Sequence, residues 1–196
     1  IDAMNILGNG LSEAKRDEEA LSVWEAELST LQRFGRDERD SRVMIAQHNM
    51  AQCYERLGQI EKCFAIEQRV YRMQRNSLGD GHDNTRISAS NLARTLAEGL
   101  NRHKEAAKFL RKEMPTLTRN IGRNHVHAIK LRLYLANCLC AVDDAPRADL
   151  QEAVAILEDL NPRTRRVFGP AHPEAQAVER ALAIARGKLA EFDARA

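Results

Sequence analysis

The sequence predicts an all-α fold, a solenoid of antiparallel helix pairs with four repeats and a closing helix, and three recurring tags carry that prediction. The first is an apolar residue and a glycine followed three residues later by His or Glu: Phe34-Gly35-Arg36-Asp37-Glu38, Leu78-Gly79-Asp80-Gly81-His82, Ile121-Gly122-Arg123-Asn124-His125 and Phe168-Gly169-Pro170-Ala171-His172. These glycines stand 44, 43 and 47 residues apart. The second tag is an apolar residue followed by a small one, in Met50-Ala51, Leu92-Ala93, Leu135-Ala136 and Leu182-Ala183. The third is Glu19-Ala20, Lys62-Cys63, Glu105-Ala106 and Glu152-Ala153. Tags repeated in a fixed order at this period mark an array of like supersecondary units.

Repeat one spans residues 2–35. Its first helix runs from Asp2 to Ala14 and its second from Glu18 to Phe34, with Asp17 placed to accept hydrogen bonds from the first free amides. Gly35 ends the pair, because glycine takes the left-handed cap conformation without a steric penalty. Repeat two spans 41–79. In its second helix Cys63, Ile66, Val70 and Met73 recur at three- and four-residue spacing, while Lys62, Glu67, Arg69 and Arg72 point elsewhere. Repeats three (84–122) and four (127–169) carry the same tags. Each also holds a proline, Pro115 and Pro162, seven residues before its glycine. A proline there predicts a kink or an early helix end. The turn of repeat four is enlarged over 141–147, with Asp143, Asp144 and Pro146 expected in a solvated loop ahead of a capping pair, Asp149 and Glu152. Residues 173–192 match the first helix of a further pair and are expected to cap the array. Blade arrays with a similar period need strands, and no alternating β-branched run exists to form them. The small-residue tags argue against HEAT and armadillo pairs.

Composition excludes several functions. The 196 residues are 43% hydrophobic, 30% charged and 5% aromatic, with a net charge of +2. That balance creates no field to attract nucleic acid and few rings to stack bases. No stretch reaches the roughly 18 apolar residues of a membrane span, and no signal peptide opens the chain. The expected setting is soluble, intracellular and cytoplasmic. The chain begins with Ile1, which suggests a piece of a longer polypeptide.

The runs Asn49-Met50-Ala51-Gln52-Cys53-Tyr54 with Leu57-Gly58, and Asn91-Leu92-Ala93 with Glu105-Ala106, together with Leu78-Gly79-Asp80-Gly81-His82, resemble tetratricopeptide repeats of the long, roughly 42-residue kind found in kinesin light chains. The resemblance extends over essentially the whole chain. It implies a right-handed superhelix whose concave wall is made by the first helix of each pair. It also implies a groove asparagine just before the second tag, a place that Asn49 and Asn91 fill and that Tyr134 and Ile6 replace. An amide there can both donate to and accept from a peptide backbone. Three residues further along lie Asn9, Gln52, Arg94 and Asn137, and one residue before the asparagine lie His48, Ser90 and Leu133. Because His48 and Ser90 stand where a carboxylate-gripping member would carry lysine, no carboxylate clamp is expected. Arg56, Arg94 and Lys130 are expected to make the groove mildly basic and Tyr134 to stack, which together suit a mixed apolar and acidic motif. The competing reading is that Asn49 and Asn91 only bridge neighbouring helices.

The remaining reactive residues suit structure. His82, His125 and His172 recur once per repeat at the start of the next pair, too far apart for one metal ion with bonds of about 2 Å. Cys53, Cys63 and Cys138 fall at packing positions, and Cys138 and Cys140 face different ways along one helix. The glycines end helices instead of forming a phosphate loop. No catalytic, cofactor or metal site is expected. The sequence therefore predicts a non-enzymatic adaptor or scaffold that binds a peptide motif or helix of another protein. The alternative is a subunit or spacer held permanently in a larger assembly.

Overall fold

The computed structural model describes residues 2–37 and 39–195, and the regular structure within them is helical. The chain divides into two compact units, Ile1–Thr95 and Leu96–Ala196. The first holds α1 (Asp2–Glu13), α2 (Asp17–Arg33), α3 (Ser41–Arg56), α4 (Ile60–Leu78) and α5 (Asp83–Arg94), each packed on the next. A π-helical turn, Thr95–Gly99, then leads into the second unit. There α6 (His103–Leu117), α7 (Val126–Ala141), α8 (Arg147–Phe168) and α9 (Pro173–Arg195) also pack in sequence, and α9 touches α7 as well.

The small-residue tags mark close helix crossings. Ala20, Ala51 and Cys63 are buried in one cluster with Trp24, Ala46, Met50, Cys53 and Tyr54. Gly8 takes the small position on α1 because the Trp24 indole lies over it; a Cβ there would stand 2.6 Å from the ring. Tyr54 closes the cluster, donating to Glu25 at 3.1 Å while the Lys62 ammonium sits 5.2 Å from its ring centre.

The glycine tags have two explanations. Gly35 has φ +70°, and the Gly35 and Arg36 amides donate back to the Gln32 and Leu31 carbonyls at 2.9 and 3.0 Å. That pairing satisfies the last carbonyls of α2. Glu38 lies outside the described residues, and α3 is capped by Asp40, which accepts from the Arg42 amide at 2.9 Å. Gly79 (φ +82°, ψ 167°) and Gly169 (φ +90°, ψ 154°) occupy a region that is essentially glycine's alone. From each, the chain swings round so that His82 and His172 cap the next helix. Their Nδ1 atoms accept from the Asn84 and Glu174 amides at 3.1 Å, and His125 does the same for the His127 amide at 3.3 Å. The recurring histidines are N-caps.

Two expected caps are different. Asp17 is the first residue of α2, not its cap; Arg16 holds that place without a side-chain capping bond, and Asp17 instead pairs with Arg56 at 2.6 Å. Helix α8 starts at Arg147 behind Pro146, so Asp149 and Glu152 form no capping box. Both carboxylates bind Arg111 of α6, Asp149 at 2.6 Å. The prolines act unequally. Helix α6 ends at Leu117, two residues past Pro115, whereas α8 continues through Pro162 to Phe168. Pro162 leaves the Glu158 carbonyl without its amide donor, yet the helix is not ended there; the Thr164 hydroxyl further along donates to the Leu160 and Asn161 carbonyls at 3.1 Å.

All four cysteines are buried and unpaired, and burial pushes the Cys63 and Cys138 thiols up to about 12. On α9, exposed Gln176 and Arg180 stand at positions matching buried Ile129 and Leu133 of α7, although Ile184 and Phe192 of the same helix are exposed too. No helix among the described residues is long and apolar enough to cross a membrane.

Candidate functional site: a groove between two first helices

Three helices of the first unit build a groove. Helices α3 and α5, the first helices of their pairs, form its walls, and α4 lies between and behind them. The cavity is about 310 Å³, and Ser41, Met44, Ile45, His48, Asn84, Ile87, Ser88 and Asn91 line its walls, with Val70 and Gln74 behind. Ile45 and Ile87 occupy the same position on their helices, six residues before Ala51 and Ala93, and remain 45% and 41% exposed. A large aliphatic residue left half in water twice at one register is an apolar rim with nothing over it.

The polar residues of the groove divide by their bonding. Among the described residues, the Asn49 and Asn91 amides make no side-chain hydrogen bond; the helix-bridging role considered above is not seen, and both remain half-buried with donors and acceptors unused. His48 and Asn91 lie on the cavity; Asn49 lies beside it on α3. Gln52 donates from Nε2 to the His48 ring at 2.8 Å, which fixes His48 as neutral with its proton on Nδ1. Burial favours the same form by lowering the His48 pKa.

The expected basic character is largely neutralised inside the fold. Arg56 bonds Asp17 at 2.6 Å and Ser12 at 2.5 Å, tying α3 to the first pair. Arg94 makes a two-pronged pair with Glu55, one prong at 2.9 Å, tying α5 to α3 and holding the Glu55 carboxyl below its ordinary range. Lys130 belongs to the second unit and lies 3.6 Å from Glu174. Tyr134 and Asn137 also lie on α7 in the second unit, half-buried and exposed respectively, and neither lines the α3–α5 cavity. With each cation countered, an acidic motif has no unpaired charge to meet here.

The helical pattern set Glu67 with Lys62, Arg69 and Arg72, off the buried face of α4; the structure buries it instead. It stands four residues after Cys63, at the position that the other three repeats fill with Trp24, Leu110 and Leu157. It is 7% exposed, and its Oε2 has no hydrogen-bond partner among the described residues. Burial raises its pKa, against the opposing pull of the Thr95 hydroxyl and the Arg94 charge. Comparing the third tags position by position reveals it: one charged residue interrupts a column of large apolar ones.

Larger recesses in the second unit have a different character. One of about 620 Å³ is lined by Arg119, Arg123, Arg132 and Asp159 with Pro115. Arg163 and Arg132 bond Asp159 at 2.8 and 2.6 Å and hold its carboxyl down at about 2. Another, of about 530 Å³, is bounded by Asp143, Asp144, Lys188, Glu191 and Phe192. Neither is walled by two first helices. Among the described residues no three His, Cys, Asp or Glu side chains are grouped as metal ligands.

Residues 42–119, which include the groove, match the sequence profile of the tetratricopeptide repeat family. No curated protein matches the chain. The fold is that of solved tetratricopeptide-like arrays. One crystal structure, of the nearly identical TPR-like repeats of a protein described as a kinesin light chain from Podosopora anserina, aligns with a TM-score of 0.74 and 21% identity over 97% of this chain and 88% of that one. A single-residue variant of the same repeats gives 0.76 with the same identity and coverage. BtubC (BKLC) from P. vanneervenii aligns with a TM-score of 0.61 and 16% identity over 98% of this chain and 80% of that one.

Proposed function

We propose that this tetratricopeptide-repeat chain is a non-enzymatic interaction module that holds an extended segment of a partner protein in the groove between α3 and α5. The observation that carries this reading is the half-exposed pair Ile45 and Ile87, set at one register above unbonded Asn91. An extended chain lying across such a wall places a side chain near each aliphatic, and its backbone amides need partners as they leave water. Asn49 and Asn91 supply donors and acceptors to them without surrendering a bond of their own.

The test is selection of randomised linear peptides on the whole chain, followed by affinity measurement of the selected sequences. Peptides that bind the unmodified protein are expected to lose at least tenfold in affinity on Ile45→Asp/Ile87→Asp and on Asn49→Ala/Asn91→Ala, with helicity unchanged. Equal binding to all three proteins would remove the groove from the function. A second reading, permanent packing in an assembly, is favoured by Ile6 and Leu7, which stand 74% and 53% exposed on α1. It predicts that charged substitutions at Ile6 and Leu7, and not at Ile45 and Ile87, abolish association.

A further inference from the structure

The groove narrows inward to a recess of about 10 Å³ lined by His48, Ala51, Ile66, Glu67, Ser88 and Asn91. Glu67 is the carboxylate among these linings, it is more than nine-tenths buried, and its Oε2 is unpartnered. A buried carboxyl oxygen without a donor is costly, because it gives up its hydrogen bonds to water and gains none in the fold. The other three repeats avoid that cost with Trp24, Leu110 and Leu157 at the same position. A polar group kept at such a position is explained by a ligand that completes it.

We propose that the recess receives the ammonium of a lysine side chain from the bound segment, its methylenes lying along the aliphatic rim and its head meeting Glu67 and Asn91. This rests on the groove reading above. Three features select lysine. The outer cavity, with Met44, Ile45, Ile87 and Val70, suits an unbranched apolar stem. Glu67 Oε2, buried and unbonded, is an acceptor, so the ligand must donate to it, and the Asn91 amide beside it can accept as well as donate. The recess holds roughly one water-sized group. An ammonium is that size; a planar guanidinium is larger, which argues against arginine. Charge agrees as well. The neighbouring Glu55 is already paired with Arg94, and His48 is neutral; the Thr95 hydroxyl and the Arg94 charge act on Glu67, but among the described residues no cation forms an ion pair with it.

The peptides selected on the whole chain supply the probe. Each is resynthesised with its lysine replaced by norleucine, which keeps the stem and removes the ammonium, and by arginine. On the unmodified protein at pH 7, both replacements are expected to weaken binding at least tenfold. On Glu67→Gln and Glu67→Leu, each checked for native helicity and cooperative melting, the norleucine and lysine peptides are expected to bind within about twofold of each other. Peptides that depend on Ile45 and Ile87 but show no fixed lysine would overturn the lysine pocket and leave the groove standing. A lysine preference that persists in Glu67→Leu would place the ammonium elsewhere and overturn it too. If no selected peptide depends on Ile45 and Ile87, both readings fall.

Discussion

The second helix of repeat two and that of repeat four hold the same place in their pairs and differ in one decisive side chain. At the position four residues beyond the third tag, α8 carries Leu157, fully buried, and α4 carries Glu67, also buried. The surfaces above them differ in step. Where α3 and α5 expose Ile45 and Ile87, α7 has Lys130 at the matching position, close to Glu174 of α9. The first unit thus combines an uncovered aliphatic rim with an incompletely bonded carboxyl beneath it, while the second has buried Leu157 at the one position and Lys130 beside Glu174 at the other. The repeat is a scaffold on which a buried position can serve either stability or recognition, and the choice is made by residues that leave the helix pattern unchanged.

Exchanging the two side chains gives the largest effects. Leu157→Glu puts an unmatched carboxyl into the apolar interior of the second unit, and a loss of more than about 3 kcal/mol is expected, measured as a lowered urea midpoint. A small loss would mean that α8 can yield enough to hydrate the carboxyl, and the contrast with α4 would vanish. Glu67→Leu should act in the opposite direction, stabilising by about 1–3 kcal/mol at pH 7. Its pH dependence has a definite sign. Burial raises the Glu67 pKa in the folded state, so the native protein is least penalised below the ordinary carboxyl value, where the group is protonated folded and unfolded alike. Stability is lost as pH climbs through the raised folded value. The gain from Glu67→Leu should therefore shrink on moving from pH 7 to pH 4, and a gain independent of pH would separate it from ionisation of the carboxyl.

The first pair offers a smaller contrast. At the corresponding sequence positions the other repeats carry Ala51, Ala93 and Ala136 in their first helices and Glu67, Leu110 and Leu157 in their second, whereas Gly8 lies under the larger Trp24. Gly8→Ala drives a methyl into the indole and should cost about 1–2 kcal/mol. In a Trp24→Leu background the same change should cost far less, since glycine and tryptophan are matched in size. Thermal melts of the four proteins measure that coupling, and strict additivity would show that α1 moves away instead of clashing.

The array was legible because its cues are local. Spacing of three and four residues, glycines with positive φ and small residues at crossings each depend on a few neighbours, and they gave the helix pairs with modest errors at the ends. What could not be read was the use of charge. Arg56 and Arg94 look like groove cations in the sequence, but their carboxylate partners lie 39 residues away, in Asp17 and Glu55. Asp17 and Asp149 look like caps for the same reason; the local bond they could make lost to a long-range arginine. For the groove, the sequence singled out His48 and Asn91 on the cavity and Asn49 beside it, but not Ile45, Ile87 or Glu67. Apolar residues on an amphipathic helix read as core, and the burial of Glu67 depends on α3 and α5 closing over α4.

The caps supply the smallest test. His82, His125 and His172 each accept one backbone hydrogen bond at the start of a helix, whereas Asp40 does this for α3 with a carboxylate. If capping is the whole role of the histidines, His172→Ala should cost about 0.5–1 kcal/mol, and His172→Asp, which keeps an acceptor at the same place, should restore most of it. Asp40→Ala should cost somewhat more, because Asp40 also pairs with Arg42 at 3.1 Å and with Arg36 at 3.5 Å. The decisive comparison is His172→Asp with His172→Ala in chemical denaturation. Recovery by aspartate assigns the recurring histidine to the helix start. Equal losses would instead assign it to ring packing, for which the stacking of His172 on Phe168, with centres 4.8 Å apart, is the available contact.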